Sequence, residues 1–121
     1  MKVLLVDDDP MNLYALELLF EDAGNFTCDK AKNGQEAIEM VKKEKDYSVV
    51  VMDLNMPVMN GMEATKELRR LNEIGEIDLS STLIYIHSAI EHSVKWEELF
   101  DGKLSKPIQI EELKALVSLL D

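Results

Sequence analysis

Short apolar runs alternate along the chain with segments whose apolar residues recur at helical spacing. The continuous apolar runs at residues 3–6 and 49–52 are typical of strands that are buried on both faces. The segment 26–31 is a weaker strand candidate, and the segments 83–87 and 103–105 predict a fourth strand and a short fifth one. A helical pattern follows each candidate, including one over residues 91–100 and one that closes the chain. Five strands, each followed by a helix, predict an α/β domain with a doubly wound parallel sheet, a (βα)5 fold.

Local signals at the helix ends support this division. Asp9-Pro10 offers an N-cap side chain followed by a first-turn proline. Asn33-Gly34 and Asn60-Gly61 precede the second and third helical patterns. Gly24 follows the first helical pattern and predicts a helix end in the left-handed conformation.

Length and charge narrow the functional class. The chain has 121 residues, 24 of them acidic and 13 basic, for a formal charge of −11. We therefore expect one domain over residues 1–121, and no direct binding to nucleic acid or anionic lipid. The longest uncharged stretch, residues 79–90, is too short to cross a membrane, and Cys28 has no second cysteine to pair with. These features favour a cytoplasmic protein without a membrane segment.

Charged and hydroxyl side chains follow the predicted strands. Asp7 and Asp8 end the first strand, Asp53 the third, Ser88 the fourth and Lys106 the fifth. In open parallel sheets, ligands bind outside the carboxyl ends of the strands, where the strand order reverses. We therefore expect these five side chains to meet at one edge of the sheet.

The acids at this edge predict a divalent cation. Asp7, Asp8 and Asp53 repel one another in a cleft unless one is protonated or a cation lies between them. Oxygen ligands without cysteine or histidine suit Mg²⁺, which keeps several waters and often binds phosphate. Asp9, which stands before a proline, is better explained as a helix cap.

The same residues fit the formation of an aspartyl phosphate. A carboxylate such as Asp53 can attack phosphorus, and the transfer then depends on positioning and charge neutralisation. The cation, the Lys106 ammonium and the Ser88 hydroxyl could each contact one phosphoryl oxygen. A lone lysine or serine carries little information, so the argument rests on their place at successive strand ends.

Together these segments resemble the response-regulator receiver domains of two-component signalling, over essentially the whole chain. The matching segments are, in order, Val6-Asp7-Asp8-Asp9, Met52-Asp53-Leu54-Asn55-Met56-Pro57, Asn60-Gly61, Ser88-Ala89 and Lys106-Pro107-Ile108. Each segment is weak evidence by itself, but their order and approximate spacing are highly specific. The resemblance implies a CheY-like, flavodoxin-like sheet with the strand order 2-1-3-4-5.

The resemblance also implies roles at the metal site. Asp53 matches the phosphoacceptor, while Asp7 and Asp8 match the acidic pair that holds Mg²⁺ or Mn²⁺. Asp8 would be the direct ligand and Asp7 would act through water. Asn55 stands where the family gives a backbone carbonyl to the metal.

Two further residues match the switching apparatus of the family. Ser88 resembles the switch hydroxyl, and Lys106 resembles the lysine that contacts the phosphoryl group. Family members often have a cis peptide bond before the proline that matches Pro107. We expect new charge at Asp53 to draw Ser88 inward and to shift the surface formed by the fourth helix, fifth strand and fifth helix.

The implied partners are proteins. A histidine kinase or a histidine phosphotransfer protein would donate the phosphoryl group, and the switched surface would bind an unidentified downstream protein. Water would hydrolyse the acyl phosphate and reset the domain. The chain would thus catalyse its own phosphorylation and dephosphorylation, without turnover of an independent substrate.

Two departures keep alternatives open. Lys103 stands where many receivers have an aromatic residue that turns inward, and the segment 88–106 is about one helical turn shorter than expected. Both departures affect the output surface, which is the surface formed by the fourth helix, fifth strand and fifth helix, rather than the phosphorylation site. The alternatives are an interaction module that acts independently of phosphorylation and a receiver fragment of a hybrid histidine kinase.

Two enzyme or cofactor classes fit less well. Asp53-Leu54-Asn55 only faintly resembles the motif of aspartyl-phosphate phosphatases, since the second acid is missing. A flavodoxin-like flavin carrier would need glycines, hydroxyls and backbone N–H groups at the first loop, where the chain has three carboxylates.

Overall fold

The computed structural model of the protein describes residues 1–44, 46–89 and 98–120. Its strands are β1 (Lys2–Val6), β2 (Thr27–Ala31), β3 (Tyr47–Asp53), β4 (Leu83–Ser88) and β5 (Gly102–Ser105). They form one sheet in the order β2-β1-β3-β4-β5, and every pairing is parallel. This confirms the predicted fold and strand order.

Four helices are present in the described part of the chain. They are α1 (Pro10–Ala23), α2 (Gly34–Lys43), α3 (Gly61–Glu73) and α4 (Ile110–Leu120). The last of these is the predicted closing helix. The helix predicted over residues 91–100 lies largely outside the described residues, so α4 here corresponds to the fifth helix of the sequence-based prediction.

The sheet carries a hydrophobic core on each face because successive strand side chains point in opposite directions. Leu4, Val50 and Ile84 face α2 and α3, whereas Leu5 and Val51 face α1 and α4. All five side chains are 0% exposed. The two apolar runs in the sequence are continuous because β1 and β3 are covered on both sides.

The cap predicted at the start of α1 is present, but the conformation predicted at the end of that helix is not. The side chains of Asp9, Asn33 and Asn60 cap α1, α2 and α3. At the end of α1, Gly24 has φ 166° and ψ −157°, which is extended rather than left-handed. The prediction for Gly24 is therefore wrong: the chain leaves the helix directly towards β2, with the Phe26 ring 3.3 Å from where a Cβ on Gly24 would stand.

A glycine at the start of α3 allows the helix to approach the end of β3. A Cβ on Gly61 would lie 2.1 Å from the carbonyl oxygen of Asp53. The Gly61 amide also donates to the carbonyl of Leu54, at 3.0 Å. The loop after Asp53 is thus held against the sheet, and only glycine fits at that point.

Polar contacts close the opposite, amino-terminal end of the sheet. The Tyr47 hydroxyl donates to Asp29 Oδ2 at 2.6 Å, and the Thr82 hydroxyl donates to the Tyr47 carbonyl at 2.7 Å. Lys2 Nζ lies 2.6 Å from Glu44 Oε2. None of the helices over the described ranges is both long and apolar enough to span a bilayer.

Candidate functional site

Three carboxylates meet at the carboxyl edge of the sheet. Asp53 is the last residue of β3, and Asp7 and Asp8 directly follow the neighbouring β1. One oxygen from each of Asp7, Asp8 and Asp53 lies within 4.8 Å of the other two. The expectation that the strand ends bring these acids together is therefore met, while their role as metal ligands stays a prediction.

The three consecutive aspartates occupy different environments. Asp7 is 1% exposed, and its Oδ1 accepts the Asp9 backbone N–H at 2.9 Å. Asp8 is exposed beside it. Asp9 points away to the helix, where its Oδ1 accepts the N–H of Met11 at 2.9 Å. The predicted division between two acids of the site and one helix cap agrees with this geometry.

Lys106 brings a positive charge into the cluster. Its Nζ donates to Asp53 Oδ1 at 2.7 Å and lies 3.7 Å from Asp7 Oδ2. That Asp7 oxygen is buried and has no hydrogen-bond partner among the described residues. The Lys106–Pro107 peptide bond is cis, as the resemblance implied.

The site remains short of positive charge. Burial raises the pKa of Asp53, and repulsion from Asp7 adds to the rise, while the hydrogen bond and charge of Lys106 oppose it. Among the described residues, the Lys106 ammonium thus contacts two carboxylates, Asp53 and Asp7, of a cluster of three. An oxygen-rich cluster that includes a buried carboxylate oxygen without a hydrogen bond has the donor set that a hard divalent cation requires.

Ser88 and Asn55 lie at the same edge. Ser88 is the last residue of β4, is 3% exposed and stands beside Ser105 of β5 in the strand register. Asn55 is exposed in the loop between β3 and α3, two residues beyond Asp53. Their positions agree with the prediction that the site residues lie at one edge of the sheet. Their contacts with a phosphoryl group or a metal stay predictions.

His87 is an unusual neighbour of the acid cluster. It pairs in register with Asp53 and is 5% exposed. Its Nδ1 has no hydrogen-bond partner in the described structure. Burial lowers the pKa of His87 to about 4, and the charge of Lys106 acts in the same direction, so the ring is neutral at pH 7.

The sequence reasoning missed a carboxylate that holds the segment carrying Lys106. Glu112, in the first turn of α4, accepts the hydroxyl of Ser105 at 3.0 Å and the backbone N–H of Gln109 at 3.0 Å. An acid three residues after the residue that precedes a helix is the spacing of a capping box. That spacing, at Gln109 and Glu112, was the available signal.

Comparisons with known proteins agree with this geometry. The family model of the response regulator receiver domain matches residues 3–118. Hybrid signal transduction histidine kinase F of Dictyostelium discoideum is 34% identical over 96% of this chain, which spans 11% of that protein. The chain spans only 4% and 20% of the next two curated relatives that it matches.

Solved structures resemble the whole chain. A CheY-like response regulator receiver domain from Methylobacillus flagellatus has a TM-score of 0.86 and 27% identity, covering 100% of this chain and 98% of its own. The response regulator TrrA of Thermotoga maritima, crystallised with Mg²⁺-BeF, has a TM-score of 0.81 and 27% identity, covering 99% and 98%. With the family match over residues 3–118 and the sheet order established, the chain belongs to the response regulator receiver domain family.

Proposed function

We propose that the domain receives a phosphoryl group on Asp53 from a phosphohistidine and thereby changes a protein-binding surface. The donor would be a histidine kinase or a histidine phosphotransfer protein. The observation that carries the proposal is the contact of Lys106 Nζ with Asp53 Oδ1 at 2.7 Å, beside two further carboxylates. An ammonium already directed at the acceptor oxygen is the arrangement that phosphoryl transfer needs.

The same acids fit a magnesium or manganese ion. Asp7, Asp8 and Asp53 would hold it, with the backbone carbonyl of Asn55 as a further oxygen ligand. Two features support this assignment: Oδ2 of buried Asp7 has no hydrogen bond among the described residues, and the donor set is all oxygen. When bound, the ion would neutralise charge on the phosphoryl oxygens.

The residues of the chain then account for the transfer. A carboxylate oxygen of Asp53 forms a bond to phosphorus, and the phosphorus–nitrogen bond of the donor histidine breaks, with its electron pair remaining on the imidazole. Lys106 moves from the Asp53 carboxylate to a phosphoryl oxygen, and the Ser88 hydroxyl donates to another. Hydrolysis reverses the state: water attacks phosphorus, releases inorganic phosphate and restores the Asp53 carboxylate.

The partners follow from the proposed chemistry. The name of the Dictyostelium relative, a hybrid histidine kinase, supports a phosphohistidine donor for this chain. The output surface would include β5 and α4, together with the segment between β4 and β5. The lone thiol of Cys28 suits the reducing cytoplasm, where we propose that the exchange takes place.

Beryllofluoride, which imitates an aspartyl phosphate, tests both binding and switching. The isotope-labelled protein is titrated with Mg²⁺ alone and then with Mg²⁺ plus beryllofluoride, and its NMR spectrum is recorded. We expect Mg²⁺ to shift the signals of residues next to Asp7, Asp8 and Asp53. Beryllofluoride should then shift signals in β5 and α4 as well.

The matched control is the Asp53→Asn variant, which keeps the shape of the side chain but removes the acceptor carboxylate. Its spectrum should not respond to beryllofluoride. If beryllofluoride leaves β5 and α4 of the unaltered protein unchanged, the switching proposal is wrong, and a module that acts independently of phosphorylation replaces it.

A further inference from the structure

The segment that carries Lys106 is tied to α4 by one carboxylate. Glu112 Oε2 accepts the hydroxyl of Ser105 at 3.0 Å, and its two oxygens lie 3.2 and 3.3 Å from the Ser105 backbone nitrogen. Glu112 Oε1 also accepts the N–H of Gln109 at 3.0 Å. The residues on both sides of the Lys106–Pro107 pair are thus bonded to the same side chain.

These bonds matter because the backbone of Lys106 lies at the end of β5, two strands away from the strand that carries Asp53. β5 is the edge strand of the sheet and is separated from β3 by β4. Strands two places apart lie roughly 9 to 10 Å from each other. The Lys106 side chain therefore crosses β4 to place its Nζ 2.7 Å from Asp53 Oδ1. Such a reach succeeds only if the backbone at Lys106 is held in place.

An edge strand does not provide that support by itself. Among the described residues, no strand pairs with the outer side of β5, and Glu112 accepts the backbone N–H of Ser105. The Ser105 backbone also forms a hydrogen bond with the side chain of His87 in β4. Ser105 is thereby fixed between β4 and α4, immediately before Lys106.

The hydrogen bonds keep Glu112 ionised. Burial disfavours its charge, but the bonds from Gln109 and Ser105 outweigh that effect and lower the pKa of Glu112. Charge-assisted bonds from a carboxylate to N–H and O–H donors are stronger than neutral ones. The tie therefore persists at neutral pH.

We infer that Glu112 is a positioning residue for phosphoryl transfer, which acts through Ser105 to direct Lys106 at Asp53. The inference rests on the proposed function of Asp53 and Lys106. Glu112 does not contact the reacting atoms. It holds Lys106, which does contact them, in position. Functional side chains commonly need such support from neighbouring residues.

The test compares Glu112→Ala with Glu111→Ala, which removes an exposed acid from the same first turn of α4. Phosphoryl uptake from acetyl phosphate is measured at saturating Mg²⁺, and Mg²⁺ affinity is measured separately. We expect Glu112→Ala to slow uptake about tenfold, below the roughly 100-fold that a 1 Å misplacement can cost. Mg²⁺ affinity should be unchanged, and Glu111→Ala should behave like the unaltered protein.

A double-mutant cycle separates positioning from general weakening of the fold. In a Lys106→Ala background, Glu112→Ala should cause no further slowing, because the group that it positions is gone. If Glu112→Ala fails to fold, Ser105→Ala removes only the 3.0 Å hydroxyl bond and should show a smaller slowing with the same dependence on Lys106.

The contrary outcomes distinguish failure of the positioning role of Glu112 from failure of the proposed function. Equal uptake by Glu112→Ala and Glu111→Ala, or slowing that persists without Lys106, overturns the positioning role alone. Absence of uptake by the unaltered protein overturns the proposed function, and the positioning role with it.

Discussion

The two ends of the sheet use polar groups in opposite ways. At the amino-terminal end, Tyr47 pairs with Asp29 and Lys2 with Glu44, both at 2.6 Å. At the carboxyl end, Lys106 contacts two of three clustered carboxylates, Asp53 and Asp7, and a buried oxygen of Asp7 has no hydrogen bond within the described structure. At the amino-terminal end these polar side chains have partners within the chain, whereas at the carboxyl end the carboxylate oxygens can still bind an external group.

This difference separates stability from function. Buried polar groups ordinarily have partners because an unpaired one costs free energy. Incomplete pairing within a cluster of carboxylates therefore indicates a place built for an external group. Changes at the amino-terminal end should lower the free energy of unfolding without affecting phosphoryl uptake, whereas changes among the carboxylates should reduce phosphoryl uptake without lowering the free energy of unfolding.

The largest effect on stability is expected at Gly61, where the start of α3 packs directly against the backbone of Asp53. Gly61→Ala would place a Cβ 2.1 Å from the Asp53 carbonyl oxygen, so α3 or the end of β3 must move. We expect a loss of about 3 kcal/mol in the free energy of unfolding, at the upper end of overpacking costs. Urea denaturation measures it. Gly75→Ala is the control, because its Cβ meets nothing within 4 Å and only its φ of 82° opposes alanine.

The second prediction compares two charges of the carboxyl end. Asp8→Ala should weaken Mg²⁺ binding by more than the roughly 10- to 100-fold lost with an outer partner of a metal ligand. Lys106→Ala should leave the affinity unchanged or raise it, because a competing cation is removed from Asp53. Calorimetric titration distinguishes the two. Equal losses in both variants would contradict the proposed division between metal binding and phosphoryl contact.

The third prediction concerns the satisfied end. Tyr47→Phe removes the 2.6 Å bond to Asp29 and leaves the ring in place. It should lower the free energy of unfolding by about 1.5 to 3 kcal/mol, the usual range for a hydrogen bond to a charged group. Phosphoryl uptake should stay at the level of the unaltered protein. If Tyr47→Phe keeps its stability but loses phosphoryl uptake, the assignment of stability to the amino-terminal end and of function to the carboxyl end is wrong.

A smaller effect is expected from relieving the repulsion among the acids. The pKa of Asp53 is raised above the ordinary 3.8, so the folded state holds its proton to a higher pH than the unfolded state does. Ionised Asp53 therefore reduces stability as the pH rises above about 3.8 towards neutrality. Asp53→Asn should be more stable than the unaltered protein near pH 7, and the difference should vanish below the ordinary pKa. Thermal unfolding across this pH range measures it.

The sequence could predict what depends on local pattern and on strand order. The apolar run at residues 49–52 revealed β3, and the rule for strand ends brought Asp7, Asp8, Asp53 and Lys106 together before any coordinates. The observed β3 is longer, Tyr47–Asp53, because Tyr47 is held by Asp29 and Thr82, which are distant in sequence. Such partners leave no periodic signal.

The errors have similar causes. Gly24 suggested a left-handed helix end, but the short connection to β2 and the Phe26 ring favour extended backbone. The bond between Glu112 and Ser105 depends on where α4 begins relative to the edge strand, and the sequence shows only a capping-box spacing. His87 gave no sign of its register with Asp53 until the sheet was assembled.

The most direct test of the account maps the phosphoryl group itself. The protein is incubated with acetyl phosphate and Mg²⁺, and the modified residue is located by mass spectrometry after trapping the acyl phosphate by reduction. The account predicts modification at Asp53, dependence on Mg²⁺ and no modification in Asp53→Asn. Modification at another residue, or undiminished modification of the Asp53→Asn variant, would contradict it.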